Sequence, residues 1–168
     1  MRRSRRLPSV LLAMLLAACA DPASTLGPLE PAADAHCQLD GMTLADYPGP
    51  KGQIRYADGD TAYFCDTLEL LSLIKSPEQV RAMSGVYTQD MAHAEWDNPH
   101  GHWIDATKAF YVRGSRRGGS MGPTLASFAE RSDAESFAMQ YGGQVLALEQ
   151  ITSEMVRLDG AVAGNQGM

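Results

Sequence analysis

Polar and apolar residues alternate along Lys51-Gly52-Gln53-Ile54-Arg55-Tyr56, and a second short run, Thr61-Ala62-Tyr63-Phe64-Cys65, follows the tight-turn pair Asp58-Gly59. Two such runs around an Asp-Gly pair predict a β-hairpin. The period then lengthens. The leucines of Leu68-Glu69-Leu70-Leu71-Ser72-Leu73-Ile74 fall at helical spacing, and Asp66 and Thr67 are suitable caps for that helix. Ser76-Pro77-Glu78 opens a further helical turn with proline in first position, and Val86-Tyr87-Thr88 reads as a closing strand. Residues 36–100 therefore predict a first half of order β-β-α-β.

The segment from Met91 to His102 is polar and carries Pro99 and Gly101, which marks a loop. The order of elements then repeats over residues 101–158. Trp103-Ile104-Asp105-Ala106 and Ala109-Phe110-Tyr111-Val112 are strand-like, a glycine-rich loop runs from Gly114 to Gly122, and Leu125-Ala126-Ser127-Phe128 is another strand. Ser132 caps a helix through Ala134, Phe137, Ala138 and Tyr141, which Gly142-Gly143 ends, and Gln144 to Leu148 is the last strand. The expected fold is α+β, built from two similar β-β-α-β halves whose residues do not themselves repeat.

The ends read differently. Four arginines precede an apolar block from Leu7 to Leu16, and small residues lead into Cys19. That order is a bacterial lipoprotein signal over residues 1–18, with Cys19 as the lipidated first residue of the mature chain. The block is about half the roughly 20 residues that span a bilayer, so it is a processing signal. Residues 19–35, rich in Ala and Pro with almost no large apolar residue, predict a flexible tether, and 159–168 a disordered tail.

Losing the signal changes the charge. The whole chain carries −6, whereas ten basic residues against twenty acidic ones leave −10 after cleavage. An acidic surface of that size argues against nucleic acid and anionic headgroups as partners. Membrane contact then rests on acyl chains at Cys19, and two or more chains suffice for stable anchoring. Ala20 is no retention signal, which points to the outer membrane.

Soft donors supply the candidate chemistry. Cys37 and Met42 stand five residues apart in His36-Cys37-Gln38-Leu39-Asp40-Gly41-Met42, and Asp40-Gly41 turns the thioether back toward the thiol. A thiolate with a thioether suits Cu(I) better than a harder ion. Met121, set among glycines in Gly118-Gly119-Ser120-Met121-Gly122-Pro123, is a further thioether candidate. Of the histidines, His36 adjoins Cys37, while His93, His100 and His102 lie on a loop. Cys65 has three readings: buried and inert, bridged to Cys37, or a further ligand. The bridge would make the protein a disulfide-stapled binding lipoprotein instead. A thiol-dependent lyase is the enzyme alternative, with Asp105 its carboxylate, but no G-x-S-x-G or H-E-x-x-H supports catalysis.

Several of these motifs, in this order, resemble the NosL family of nitrous oxide reductase accessory lipoproteins. They are Cys37-Gln38-Leu39-Asp40-Gly41-Met42, Tyr47-Pro48-Gly49, Trp103-Ile104-Asp105-Ala106, Lys108-Ala109-Phe110-Tyr111-Val112 and Met121-Gly122-Pro123. The resemblance implies a metallochaperone and no enzyme: a Cu(I)-binding, periplasm-facing outer-membrane lipoprotein of denitrification. It would deliver copper for nitrous oxide reductase together with an ABC-type maturation complex. It also implies a fold of two β-β-α-β halves with organomercurial-lyase-like topology. Carried across, it assigns Cys37, Met42 and Met121 as ligands, with His36 as a further donor. Many members have a second cysteine where this chain has Asp40.

Overall fold

A computed structural model describes residues 26–158. The expected signal, Cys19, the start of the tether and the tail from 159 onward lie outside the described residues.

β1 (Gly52–Tyr56) and β2 (Thr61–Phe64) form the expected antiparallel hairpin, with Gly59 at a φ of 96° in its turn. Ile54 and Phe64 point from it into the core with no exposed surface. The chain then enters α1 (Thr67–Ile74) through Asp66, whose carboxylate accepts Leu68 N–H at 2.8 Å and so satisfies one of the free donors of the first turn. Ser76-Pro77-Glu78 makes a turn and not a second helix. β3 (Met83–Gln89) returns antiparallel to β1.

β4 (Trp103–Asp105) departs from the sequence expectation. It pairs with the free edge of β3, giving the first sheet the order β2-β1-β3-β4, and does not begin the second half. A three-residue strand carries no local mark of its partner, and the open edge of β3 is the nearest ladder to which its backbone can bond.

The second unit is β5 (Phe110–Gly119), β6 (Gly122–Phe128), α2 (Arg131–Tyr141) and β7 (Gln144–Ala147), with sheet order β6-β5-β7. Its first strand is central and the second and third flank it, as in β2-β1-β3, so the two halves share a β-β-α-β topology. The glycine-rich stretch expected as a loop is largely strand: β5 runs on to Gly119, and only Ser120 and Met121 turn. α2 starts at Arg131, with Glu130 at the cap position, and ends at Gly142 with a φ of 79°.

α1 joins the halves. Leu70 packs with Ile54, Phe64 and Val86 of the first sheet, while Leu71 packs with Tyr111, Leu125 and Leu146 of the second. Both leucines are fully buried. A polar seam runs beside them: Thr88 and Ser127 hydroxyls lie 3.0 Å apart, and the Ser127 hydroxyl donates to Gln89 O at 2.6 Å. Paired buried hydroxyls fix how the sheets meet, because sliding would strand them unsatisfied.

The described part of the expected tether, 26–35, lies along the first sheet. The Gln53 side chain bonds both backbone groups of Leu29, at 2.8 and 2.6 Å, and the Tyr87 hydroxyl donates to Leu26 O at 2.6 Å.

Candidate metal centre

The sulfur turn is a small hairpin. His36 and Thr43 bridge antiparallel, Cys37 N–H donates to Met42 O at 2.8 Å, and Gly41 N–H donates back to Cys37 O at 3.0 Å. Gly41 adopts a φ of 75°, a conformation costly for a residue with a Cβ. Asp40 accepts Met42 N–H at 2.9 Å, closing the loop from its side chain. Gln38 N–H donates to Tyr63 O at 2.8 Å and ties the turn to the edge of β2.

That tie decides what lies beneath the turn. β2 ends at Phe64, so Cys65 arrives under the hairpin one residue before the cap of α1. Cys37 and Cys65 are 4% and 0% exposed and pack with Leu44, Met42 and Tyr47. Both thiols are free. The sulfurs of Cys37 and Cys65 and a carboxylate oxygen of Asp40 all lie within 4.8 Å of one another. It is the one such group of three metal-capable residues among the described residues. Cys65 Sγ faces Met42 O at 3.6 Å, and Leu39 N–H points at Cys37 Sγ at 3.4 Å.

A third buried group touches the thiols. Glu69, from the first turn of α1, places Oε2 3.1 Å from Cys37 Sγ, while its Oε1 is buried with no hydrogen-bond partner. The hydrogen bond from Cys65 is the leading influence on Cys37 and holds its thiol down at about 6; the same contact, then burial, pushes Cys65 up. Burial first, then the contact with Cys37, pushes Glu69 up to about 9. Cys37 Sγ and Glu69 Oε2 thus share one hydrogen-bonded proton, and their titration belongs to the pair.

Lys51 closes the group from below. Only 3% exposed, its ammonium donates to Tyr47 O at 2.6 Å, Pro48 O at 3.2 Å and Cys65 O at 3.1 Å. Burial lowers its pKa, against the raising effects of Cys65, Asp66, Glu69 and Cys37.

The remaining sequence candidates are placed as follows. Met42 is half-buried in the packed group around the thiols. Met121 sits exposed at the β5–β6 tip and lines an open cleft of about 610 Å³ with Asp66, Leu68, Glu69, Ser120 and Thr124. Glu69 thus borders both the cleft and the Cys37 thiol. His36 is exposed beside Cys37, and adjacent residues of an extended segment face opposite ways. The His93 and His102 rings lie 5.8 Å apart, tilted to each other, and His100 lies 3.6 Å from Glu30, the three histidines all on the 91–102 loop. Asp105 holds Thr107 and Lys108 in a turn.

As a donor set, two thiols and a nearby thioether fit a soft, low-coordinate ion, and the carboxylates are hard donors already engaged with protein groups. Sequence reasoning left Cys65 open and missed Glu69 and Lys51. A lone carboxylate inside Leu68-Glu69-Leu70-Leu71 was the available signal for Glu69.

A family model described as NosL matches residues 28–156. A Stutzerimonas stutzeri protein named copper-binding lipoprotein NosL is 40% identical over 153 residues, covering 89% of this chain and 80% of its own length. A protein of the same name from Achromobacter cycloclastes is 40% identical over 159 residues with the same coverage. The crystal structure of the copper chaperone NosL from Shewanella denitrificans matches with a TM-score of 0.69 at 34% identity, over 78% of this chain and 98% of that one.

Proposed function

This chain belongs to the NosL family, and on that premise we propose that it is a carrier of cuprous copper. It is a lipoprotein anchored through acyl chains on Cys19 to the periplasm-facing side of the outer membrane. It delivers copper for the assembly of nitrous oxide reductase, together with an ABC-type maturation complex. Its function is to bind and transfer an ion, without catalysis.

One observation carries the copper reading: the Cys37 thiol is unbridged, nearly buried and packed with the Met42 thioether in a preformed hairpin. Preorganised soft donors select a monovalent soft ion over Mg²⁺ or Ca²⁺, which take oxygen. Cys37 supplies the anionic ligand and Met42 a neutral one. Met121 is a thioether on the open cleft that Glu69 also borders, and it serves the hand-over. His36 stands at the outer edge of the turn, where it can meet the ion only as it enters or leaves. The acidic surface suits docking to a basic partner.

Competition with a cuprous chelator, on reduced protein without oxygen, tests the reading. Wild type takes up one equivalent of Cu(I), and Cys37→Ser loses it while keeping its far-ultraviolet circular dichroism. Near-stoichiometric tight binding in Cys37→Ser overturns it.

A further inference from the structure

Cys65 has no role in that reading, yet its sulfur lies beside the proposed anchor. It comes from a different element, after β2, and the fold brings it beneath the sulfur turn with no exposed surface. Its sulfur lies within 4.8 Å of Cys37 Sγ. A metal–thiolate bond of a comparable ion is about 2.3 Å, so one ion bound to both sulfurs needs them no more than roughly 4.6 Å apart. The preformed spacing is of that order. A disulfide would instead need about 2.05 Å.

A second observation is independent of the sulfurs. The Lys51 ammonium is buried against three carbonyls, one of them the carbonyl of Cys65, and among the described residues no carboxylate forms an ion pair with it. The acidic groups facing it, Asp66 and Glu69, are committed elsewhere: Asp66 to Leu68, Ser120 and Thr124, and Glu69 to Cys37. Cys65, Asp66, Glu69 and Cys37 all favour its charged form, so net negative charge held at the two sulfurs suits its placement. One cuprous ion on two thiolates carries a net charge of −1.

We propose that Cys65 is a second thiolate ligand, and that Cys37, Cys65 and Met42 hold the ion in a three-sulfur site whose negative charge the buried Lys51 ammonium offsets. The inference rests on the copper reading above. Loading is a substitution with no change of oxidation state: one Cu(I) binds two sulfurs, and the protons of both thiols, counted from the fully protonated pair, pass to the solvent. Lys51 touches no ligand atom and acts as a positioning charge.

The test uses reduced full-length chain and Cu(I) itself. In selenomethionine-labelled protein, thioether ligands scatter as selenium at the copper absorption edge, so every sulfur neighbour is a thiolate. Two sulfur neighbours are expected, and one overturns the proposal without recourse to a variant. Cys65→Ser, or Cys65→Ala should the serine variant not fold, loses more affinity than the roughly 10- to 100-fold that an outer-shell partner contributes. Lys51→Met falls within that about 10- to 100-fold range, and Lys51→Arg, which keeps the charge, lies closer to wild type. Wild-type affinity in Cys65→Ser removes Cys65 as a ligand and leaves Cys37 standing. Wild-type affinity in Lys51→Met removes the charge argument. Retained binding in Cys37→Ser defeats the underlying copper reading instead.

Discussion

Cys37 Sγ and Glu69 Oε2 lie 3.1 Å apart across the join between the sulfur turn and α1, sharing a proton between two nearly buried side chains. With Cys65 donating to it, Cys37 ionises at about 6 instead of its ordinary 9.0. The ultraviolet absorbance of a thiolate in metal-free protein should therefore titrate with a midpoint near pH 6. Cys65→Ala removes the largest cause and should move that midpoint up toward 9.0. A midpoint unchanged by that substitution would show that the two thiols are not hydrogen-bonded.

Glu69 gives the opposite sign. Its carboxyl ionises near 4.5 in the unfolded chain and near 9 in the folded one. Between these values the unfolded state loses a proton that the native state keeps, so stability declines as pH rises. Cys37 works the other way, its contribution complete above 9.0 and lost as pH falls through 6. From pH 4.5 to 6, below the window of Cys37, the Glu69 effect stands apart. Denaturant midpoints of Glu69→Gln should gain on wild type steadily across that range, and parallel curves would refute it.

How much of this was legible depends on sequence distance. The β1–β2 hairpin and α1 could be read because alternation, Asp58-Gly59 and the Asp66 cap are all local signals. β4 went to the wrong half because Trp103-Ile104-Asp105 is short and its partner is set by an open sheet edge. The Gly114–Gly122 stretch looked like loop because glycine is a poor strand former, but Gly119 is needed there. A Cβ on Gly119 would collide with Asp66 Oδ2. Cys37 and Met42 stood out through their spacing, whereas Cys65, Glu69 and Lys51 join them only through the fold. Four separate segments meet at the sulfurs, and no local pattern encodes that.

Asp66 makes the next case, since one carboxylate serves both halves. It caps α1 through Leu68 N–H and accepts Ser120 N–H at 3.1 Å from the tip that carries Met121, with the Thr124 hydroxyl also donating to it. Burial raises its pKa against those hydrogen bonds. Asp66→Ala should cost about 1–2 kcal/mol for the cap alone. It should also raise amide exchange at Ser120 and Met121, which Asp66→Asn, still an acceptor, largely restores. Stability loss without faster exchange at the tip would mean that Asp66 serves only α1.

The last prediction concerns the lead-in strand. Gln53 is fully buried, and its side-chain amide satisfies both Leu29 backbone groups, while Arg55 reaches Gly27 O at 2.8 Å and Tyr87 reaches Leu26 O. These contacts fix the described part of the expected tether along β1 and β3, which the composition of 19–35 does not suggest. Gln53→Ala leaves the Leu29 N–H and C=O without partners and opens a cavity beneath them. Leu29 is 48% exposed, so water can take up its freed groups, and the loss is that of two ordinary hydrogen bonds, about 0.5–1.5 kcal/mol each, enough to let the segment detach. Limited proteolysis of the mature protein should then cut within 26–35 in Gln53→Ala and spare that stretch in wild type. Cutting at the same rate in both would show that the lead-in is already free in solution, and the expected long tether would be restored.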